Sequence, residues 1–210
     1  MPVRGSGIVF VKFVPTAGSQ NPASATQTIY AGVSLMGRPN LFVSTDGGAS
    51  WQDVAGEPTK YRPTRAAVSS DGFLYIAYGT APGPSHMTDG AVWKLNNQTG
   101  AWTDITPDRP VAGSKEFGYA GVSVDAQHPQ TVIASSFGRP KSAGGEDMFR
   151  STDGGATWKP CLLYTSLLVV DLRSRLHAEH HVVRVRVLPA QIVRIIGRHQ
   201  RNLQLPLQPE

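Results

Sequence analysis

Two carboxylates occur in this chain in the same setting: Asp46 in Ser44-Thr-Asp-Gly-Gly-Ala-Ser-Trp51 and Asp153 in Ser151-Thr-Asp-Gly-Gly-Ala-Thr-Trp158. Paired carboxylates are common equipment for general acid–base chemistry, so these two are the first candidates for a reacting pair. Their setting argues for a different role. The Ser-x-Asp-x-Gly-x-(Ser/Thr)-Trp pattern, an Asp box, is a turn signature. Its Asp accepts hydrogen bonds that close a tight hairpin, its Gly pair supplies positive φ, and its Trp opens the outgoing strand. Asp46 and Asp153 are therefore expected at hairpins on the outside of the fold. They share that structural role with Ser44, Gly48, Trp51, Ser151, Gly155 and Trp158, and the box tryptophans are expected in the core.

The remaining reactive side chains form no constellation. Asp89, in Thr88-Asp-Gly90, reads as a turn former, His128 in Gln-His-Pro as a turn residue, and His86 as a solvated loop histidine. The two scattered histidines of residues 1–161 and the single cysteine, Cys161, lack metal-ligand spacing, and one cysteine excludes an internal disulfide. Gly144-Gly145 opens no helix and has no phosphate-loop Lys, so neither metal nor cofactor is expected.

The elements that would position these residues follow from the repeat. A degenerate third box, Leu95-Asn-Asn-Gln-Thr-Gly-Ala-Trp102, places Asn97 at the Asp position. The box tryptophans are 51 and 56 residues apart, a period suited to four-stranded propeller blades. Short apolar runs precede each box: Thr28–Val33, Phe73–Tyr78 and Thr131–Ser135. Others precede those: Gly7–Phe13, Arg65–Ser69 and Tyr119–Val124, joined by turn formers such as Ser70-Asp-Gly72. The expectation is an all-β fold without helices: a partial propeller over 1–161, with blades at about 5–56, 62–106 and 117–160.

Composition agrees up to residue 161. The chain has 22 Gly and 16 Pro in 210 residues, suited to a turn-rich β protein. Its net charge of +5 is +1 over residues 1–161 and +4 over 162–210, so no basic partner-binding face is expected on the blades. The last 49 residues contain one Gly, and all seven of their basic residues are Arg. Three readings of this tail stand: a basic arm for nucleic acid or anionic lipid, a divergent native extension, or a non-native end from a frame-shifted or read-through gene. The last is the expectation, with no nucleic-acid or membrane partner. Within it Arg184–Val187 alternates as a strand would, whereas Gln191–Ile196 fits helix and strand equally poorly. Met1 runs directly into propeller-like sequence with no secretory leader, so the chain is either cytoplasmic or begins inside a longer gene.

The text between the boxes is more specific than the boxes. Gly83-Pro-Ser-His-Met-Thr-Asp-Gly-Ala-Val-Trp-Lys94, Thr99-Gly-Ala-Trp-Thr-Asp-Ile-Thr-Pro107, Phe117-Gly-Tyr-Ala-Gly-Val-Ser-Val-Asp125 and Met148–Trp158 resemble glycoside hydrolase family 74, the xyloglucanases. The resemblance covers about residues 5–160. It implies a secreted enzyme of two seven-bladed propellers facing across a cleft, cutting the β-1,4-glucan backbone of xyloglucan with inversion. It also implies one catalytic aspartate from each propeller, and neither family segment is found here. No catalytic residue is assigned, and the chain alone is expected to be inactive, with the missing propeller blades and the polysaccharide as partners of the parent enzyme. Pyranose rings stack on flat aromatics. Tyr78, Phe117 and Tyr119, at strand ends near long loops, are the substrate-binding candidates, with ordinary inter-blade packing as the alternative.

Two other classes compete. One is a non-catalytic Asp-box propeller serving as a binding or assembly module. The other is a sialidase-like exo-glycosidase, for which the arginines of residues 1–161 show no triad motif.

Overall fold

The computed structural model describes residues 7–15, 26–81, 86–110, 116–138, 148–161, 185–187 and 193–195, the last two by backbone alone. Contacts divide the chain into two units, Met1–Leu163 and Tyr164–Glu210.

The first unit holds three four-stranded antiparallel sheets, and among the described residues there is no helix. Strands β1 (Ile8–Phe13), β2 (Ile29–Val33), β3 (Leu41–Ser44) and β4 (Gln52–Asp53) form the first. Strands β5 (Arg62–Val68), β6 (Phe73–Gly79), β7 (Gly90–Asn96) and β8 (Trp102–Asp104) form the second. The third comprises β9 (Gly118–Val124), β10 (Val132–Phe137), β11 (Met148–Ser151) and β12 (Lys159–Cys161). Strand order follows chain order in each, so every sheet is a meander closed by hairpins. They are three successive propeller blades.

The middle blade shows why its sequence reads as it does. Strand β6 is an unbroken apolar run, Phe73-Leu-Tyr-Ile-Ala-Tyr78, because both of its faces are covered. Leu74, Ile76 and Tyr78 pack with Phe10, Tyr30 and Leu41 of the first blade. The alternate residues Tyr75 and Ala77 pack with Phe117, Tyr119, Val132 and Phe149 of the third. Each such fully buried side chain contributes roughly 1.5–3 kcal/mol.

Strand β5 begins at Arg62, three residues before the expected Arg65, and runs through Pro63. A register break between Pro63 and Arg65 accommodates the proline, which has no N–H to give the ladder. Thr64, at that break, directs its hydroxyl to Ala77 O (2.9 Å) and Tyr119 O (3.1 Å), joining the second blade to the third.

The box tryptophans are less buried than expected. Trp102 and Trp158 are half-buried, and each donates its indole N–H to a backbone carbonyl of the preceding blade: Ala55 O at 2.9 Å and Ile105 O at 2.7 Å. Trp51 is 42% exposed, on a blade that also exposes Ile8 (67%), Val11 and Phe13 (61%). Trp102 and Trp158 thus cover the edge of the blade before them while packing, half-buried, against the inter-blade cores.

In the second unit, β13 (Val185–Val187) and β14 (Val193–Ile195) pair antiparallel. The undecided Gln191–Ile196 run is therefore strand in its middle.

Candidate functional site

Strand direction separates the two ends of the blades. The Asp-box hairpins β3–β4, β7–β8 and β11–β12 lie at one end, with the β5–β6 and β9–β10 turns. The connector from β4 to β5 and the long loop from β6 to β7 lie at the other.

At the first end, both complete boxes have the same wiring. Ser44 Oγ donates to Asp46 Oδ1 (2.7 Å) and accepts from Gly48 N (2.8 Å). Asp46 Oδ1 accepts from Ser50 N (2.9 Å) and Oδ2 from Ser50 Oγ (2.6 Å). In the second copy, Ser151, Asp153, Gly155 and Thr157 take the same partners. Gly155 has φ +92°, and a Cβ there would lie 2.7 Å from Ile105 Cδ1, so it meets both the turn and the preceding blade. Both carboxylates are fully engaged in their turns and unsuited to acid–base work.

Their hydrogen bonds shift them. The Ser50 hydroxyl first, then Ser50 N and the Ser44 hydroxyl, lower the Asp46 carboxyl to about 2. The Thr157 and Ser151 hydroxyls hold Asp153 well below the ordinary carboxylate range. A carboxylate more acidic folded than unfolded stabilises the fold in its charged form. That contribution is complete above the unfolded value, near 4, and is lost as pH falls through about 2. Replacing Asp46 and Asp153 by Asn should therefore flatten the fall of the urea midpoint between about pH 4 and pH 2. Parallel profiles for the variant and the parent chain would count against this.

The third box departs from expectation. Asn96, not Asn97, takes the Asp-like role: its Oδ1 accepts from Gln98 N (2.9 Å) and Thr99 N (3.0 Å). Asn97 is bound through its backbone, N–H to Gly72 O, while its side-chain amide is buried without a hydrogen-bond partner. The turn closes one residue earlier because no serine stands at Leu95 to receive the box's N–H groups.

The aromatic candidates also differ from expectation. Tyr78, Phe117 and Tyr119 have no accessible surface and belong to the two inter-blade cores. Phe117 and Tyr119 meet edge to face at 5.7 Å. The Tyr119 hydroxyl is held by Asp108, accepting from its N–H (2.9 Å) and donating to its carbonyl (2.8 Å). Rings covered on both sides by neighbouring blades offer no face to a sugar, so the inter-blade packing alternative describes them.

At the long-loop end the structure assembles a group that spacing did not reveal. Asp89 Oδ2 accepts from Lys60 Nζ (2.9 Å) and from the Tyr61 hydroxyl (2.9 Å). Lys60 Nζ also donates to the Tyr61 oxygen (3.1 Å), and Asp89 Oδ1 accepts from Gly90 N (2.8 Å). Burial pushes the Asp89 carboxyl up, but the Lys60, Tyr61 and Gly90 hydrogen bonds outweigh it, so it lies below its ordinary value. Lys60 is raised, first by its bond to Asp89. Beside them, the Thr80 hydroxyl accepts from Thr88 N (2.9 Å) and contacts the Thr88 hydroxyl at 3.3 Å. His86 is exposed and holds φ +68°, the one positive φ among non-glycine described residues.

The connector is held from beneath. The Glu57 carboxylate accepts from Asn40 N (2.9 Å) and Leu41 N (2.8 Å), and Asn40 Nδ2 donates to Tyr61 O (2.8 Å). Among the described residues, no group of three or more His, Cys, Asp or Glu side chains could hold a metal.

A BNR/Asp-box repeat model matches residues 42–53 and 149–160, the two complete boxes. A Paenibacillus xyloglucanase is 42% identical over 154 residues, covering 72% of this chain and 14% of the relative. Xyloglucanase Xgh74A of Acetivibrio thermocellus is 41% identical over 156 residues, 73% of this chain and 18% of the relative. The crystal structure of the GH74 xyloglucanase from Xanthomonas campestris superposes with a TM-score of 0.67 at 43% identity, over 75% of this chain and 22% of that one. The propeller region belongs to glycoside hydrolase family 74. This family 74 segment spans about a seventh to a fifth of the length of those curated relatives.

Proposed function

We propose that the protein carrying this family 74 segment is a secreted, inverting glycoside hydrolase acting on the β-1,4-glucan backbone of xyloglucan. The segment supplies scaffold and, at its long-loop end, part of the substrate cleft. The observation that carries this reading is 41–43% identity to xyloglucanases, sustained through about three-quarters of the chain.

Inversion needs a carboxylic acid to protonate the leaving oxygen and a carboxylate to activate water, about 6.5–9.5 Å apart. Asp46 and Asp153 are committed to hairpins at the opposite end from the long loops, so the reacting pair comes from other parts of the longer protein. Further blades are the segment's partners. One of them covers Val11, Phe13 and Trp51 and offers the Trp51 indole a carbonyl, as Ala55 and Ile105 do for the next two boxes.

The stereochemistry is directly testable. Proton NMR of the full-length protein digesting xyloglucan should show the α-anomer of the new reducing end first, with the β-anomer growing in by mutarotation. Early accumulation of the β-anomer, or no cleavage at all, would sink this reading.

A further inference from the structure

At the long-loop end, Lys60, Tyr61 and Asp89 form a closed, electrically balanced group whose remaining hydrogen-bonding capacity can be counted. Asp89 accepts three hydrogen bonds, two at Oδ2 and one at Oδ1, which leaves an acceptor site at Oδ1. Lys60 Nζ has three N–H groups and uses two, which leaves one donor. The Tyr61 hydroxyl both donates and accepts within the group. Lys60 stands 71% exposed at its side chain and Asp89 23%, so both side chains reach solvent.

Charge decides what fits there. An anion would meet the Asp89 carboxylate and a cation the Lys60 ammonium, each already neutralised by the other. A neutral molecule with adjacent hydroxyls meets neither penalty. One hydroxyl donates to Asp89 while its neighbour accepts from Lys60, and both bonds are charge-assisted. The exposed Thr88 hydroxyl and the His86 ring extend the same polar surface. His86 holds a left-handed backbone, and such conformations cluster at binding sites.

The support beneath is rigid. Glu57 and Asn40 fasten the connector to the first blade, and Gly90 N fixes the Asp89 carboxylate, so the group is ordered before a ligand arrives. Pre-ordering avoids an entropy cost that would otherwise weaken binding to a solvated sugar.

We infer that Lys60 and Asp89, positioned by Tyr61, form a saccharide-binding subsite that takes two adjacent hydroxyls of a neutral sugar residue. This rests on the reading that the parent protein binds a polysaccharide, and the test separates the two. The full-length protein and its Lys60→Gln and Asp89→Asn variants are titrated calorimetrically with xyloglucan oligosaccharides and, in parallel, cello-oligosaccharides, with melting temperatures recorded. Each variant should bind xyloglucan oligosaccharide about ten-fold more weakly, the loss of one hydrogen bond to a charged group. In hydrolysis KM should rise by a similar factor, with kcat changed less than two-fold. Melting temperatures should stay close to the parent's, which a purely structural latch would not allow. If the parent binds xyloglucan and both variants bind it equally well, the subsite is wrong and the hydrolase reading stands. Binding only of cello-oligosaccharides, with the same dependence on Lys60 and Asp89, keeps the subsite and overturns the xyloglucan reading. A parent that binds neither overturns both.

Discussion

Gly90→Val should destabilise the chain by about 3 kcal/mol, at the upper end for an overpacked core. Gly90 opens β7 against the first residues of β9 in the third blade. A Cβ there would lie 2.7 Å from Tyr78 O, 2.9 Å from Gly118 Cα and 3.0 Å from Tyr119 N. All three are backbone atoms, so no side chain can swing aside, and relief requires the blades to part. Two neighbouring glycines meet a softer obstacle, since the atoms nearest a Cβ at Gly79 or Gly118 belong to the flexible Met87 side chain. Urea midpoints should therefore rank Gly90→Val as the most damaging. Gly7→Ala, with nothing within 4 Å, should be near neutral. Comparable midpoints for the Gly90 and Gly7 variants would show that the blades do not approach this closely.

Tyr78 provides the second large effect, through a contrast between two substitutions. Its ring is fully buried between the first and second blades, yet its hydroxyl has no hydrogen-bond partner. Burial, and secondarily the nearby Glu57 charge, hold the phenol far above its ordinary value, so it stays neutral. Tyr78→Phe removes a polar group that was desolvated without compensation and should be neutral or slightly stabilising. Tyr78→Ala leaves a cavity in the same place and should cost about 3–5 kcal/mol, the range for large aromatic truncations. A sugar-stacking tyrosine would behave differently, since its removal would weaken oligosaccharide binding and leave the melting temperature nearly unchanged. Equal destabilisation by Phe and Ala would mean the hydroxyl has a partner and the account of this core is wrong.

The blade framework was legible because its signals are local. An Asp box fits its serine, aspartate, glycines and hydroxyl residue into eight positions, and the spacing of the tryptophans counts the sheets. Where the local pattern weakened, so did the reading. The Asn96–Asn97 pair gives two candidates for one role, and the absence of serine at Leu95 is what shifts the turn to Asn96.

Burial was harder to read. Phe73–Tyr78 alternates nothing, and a run buried on both faces looks the same as one whose end projects into a cleft; only the neighbouring blades decide that Tyr78 is interior. Trp51 is the opposite case, matching Trp102 and Trp158 in its box but differing from them in what covers it. The Lys60–Tyr61–Asp89 group had no sequence signal at all, since Asp89 stands 29 and 28 residues from the adjacent Lys60 and Tyr61 and meets them only when connector and loop converge.

The most direct test of the central claim, that this segment is scaffold for catalysis performed elsewhere in a xyloglucan hydrolase, is reducing-end release from xyloglucan by two proteins side by side. One is the 210-residue chain and the other the full-length protein that contains it. The prediction is release by the full-length protein and none by the chain. Release by the chain alone, or none by the full-length protein, would contradict it.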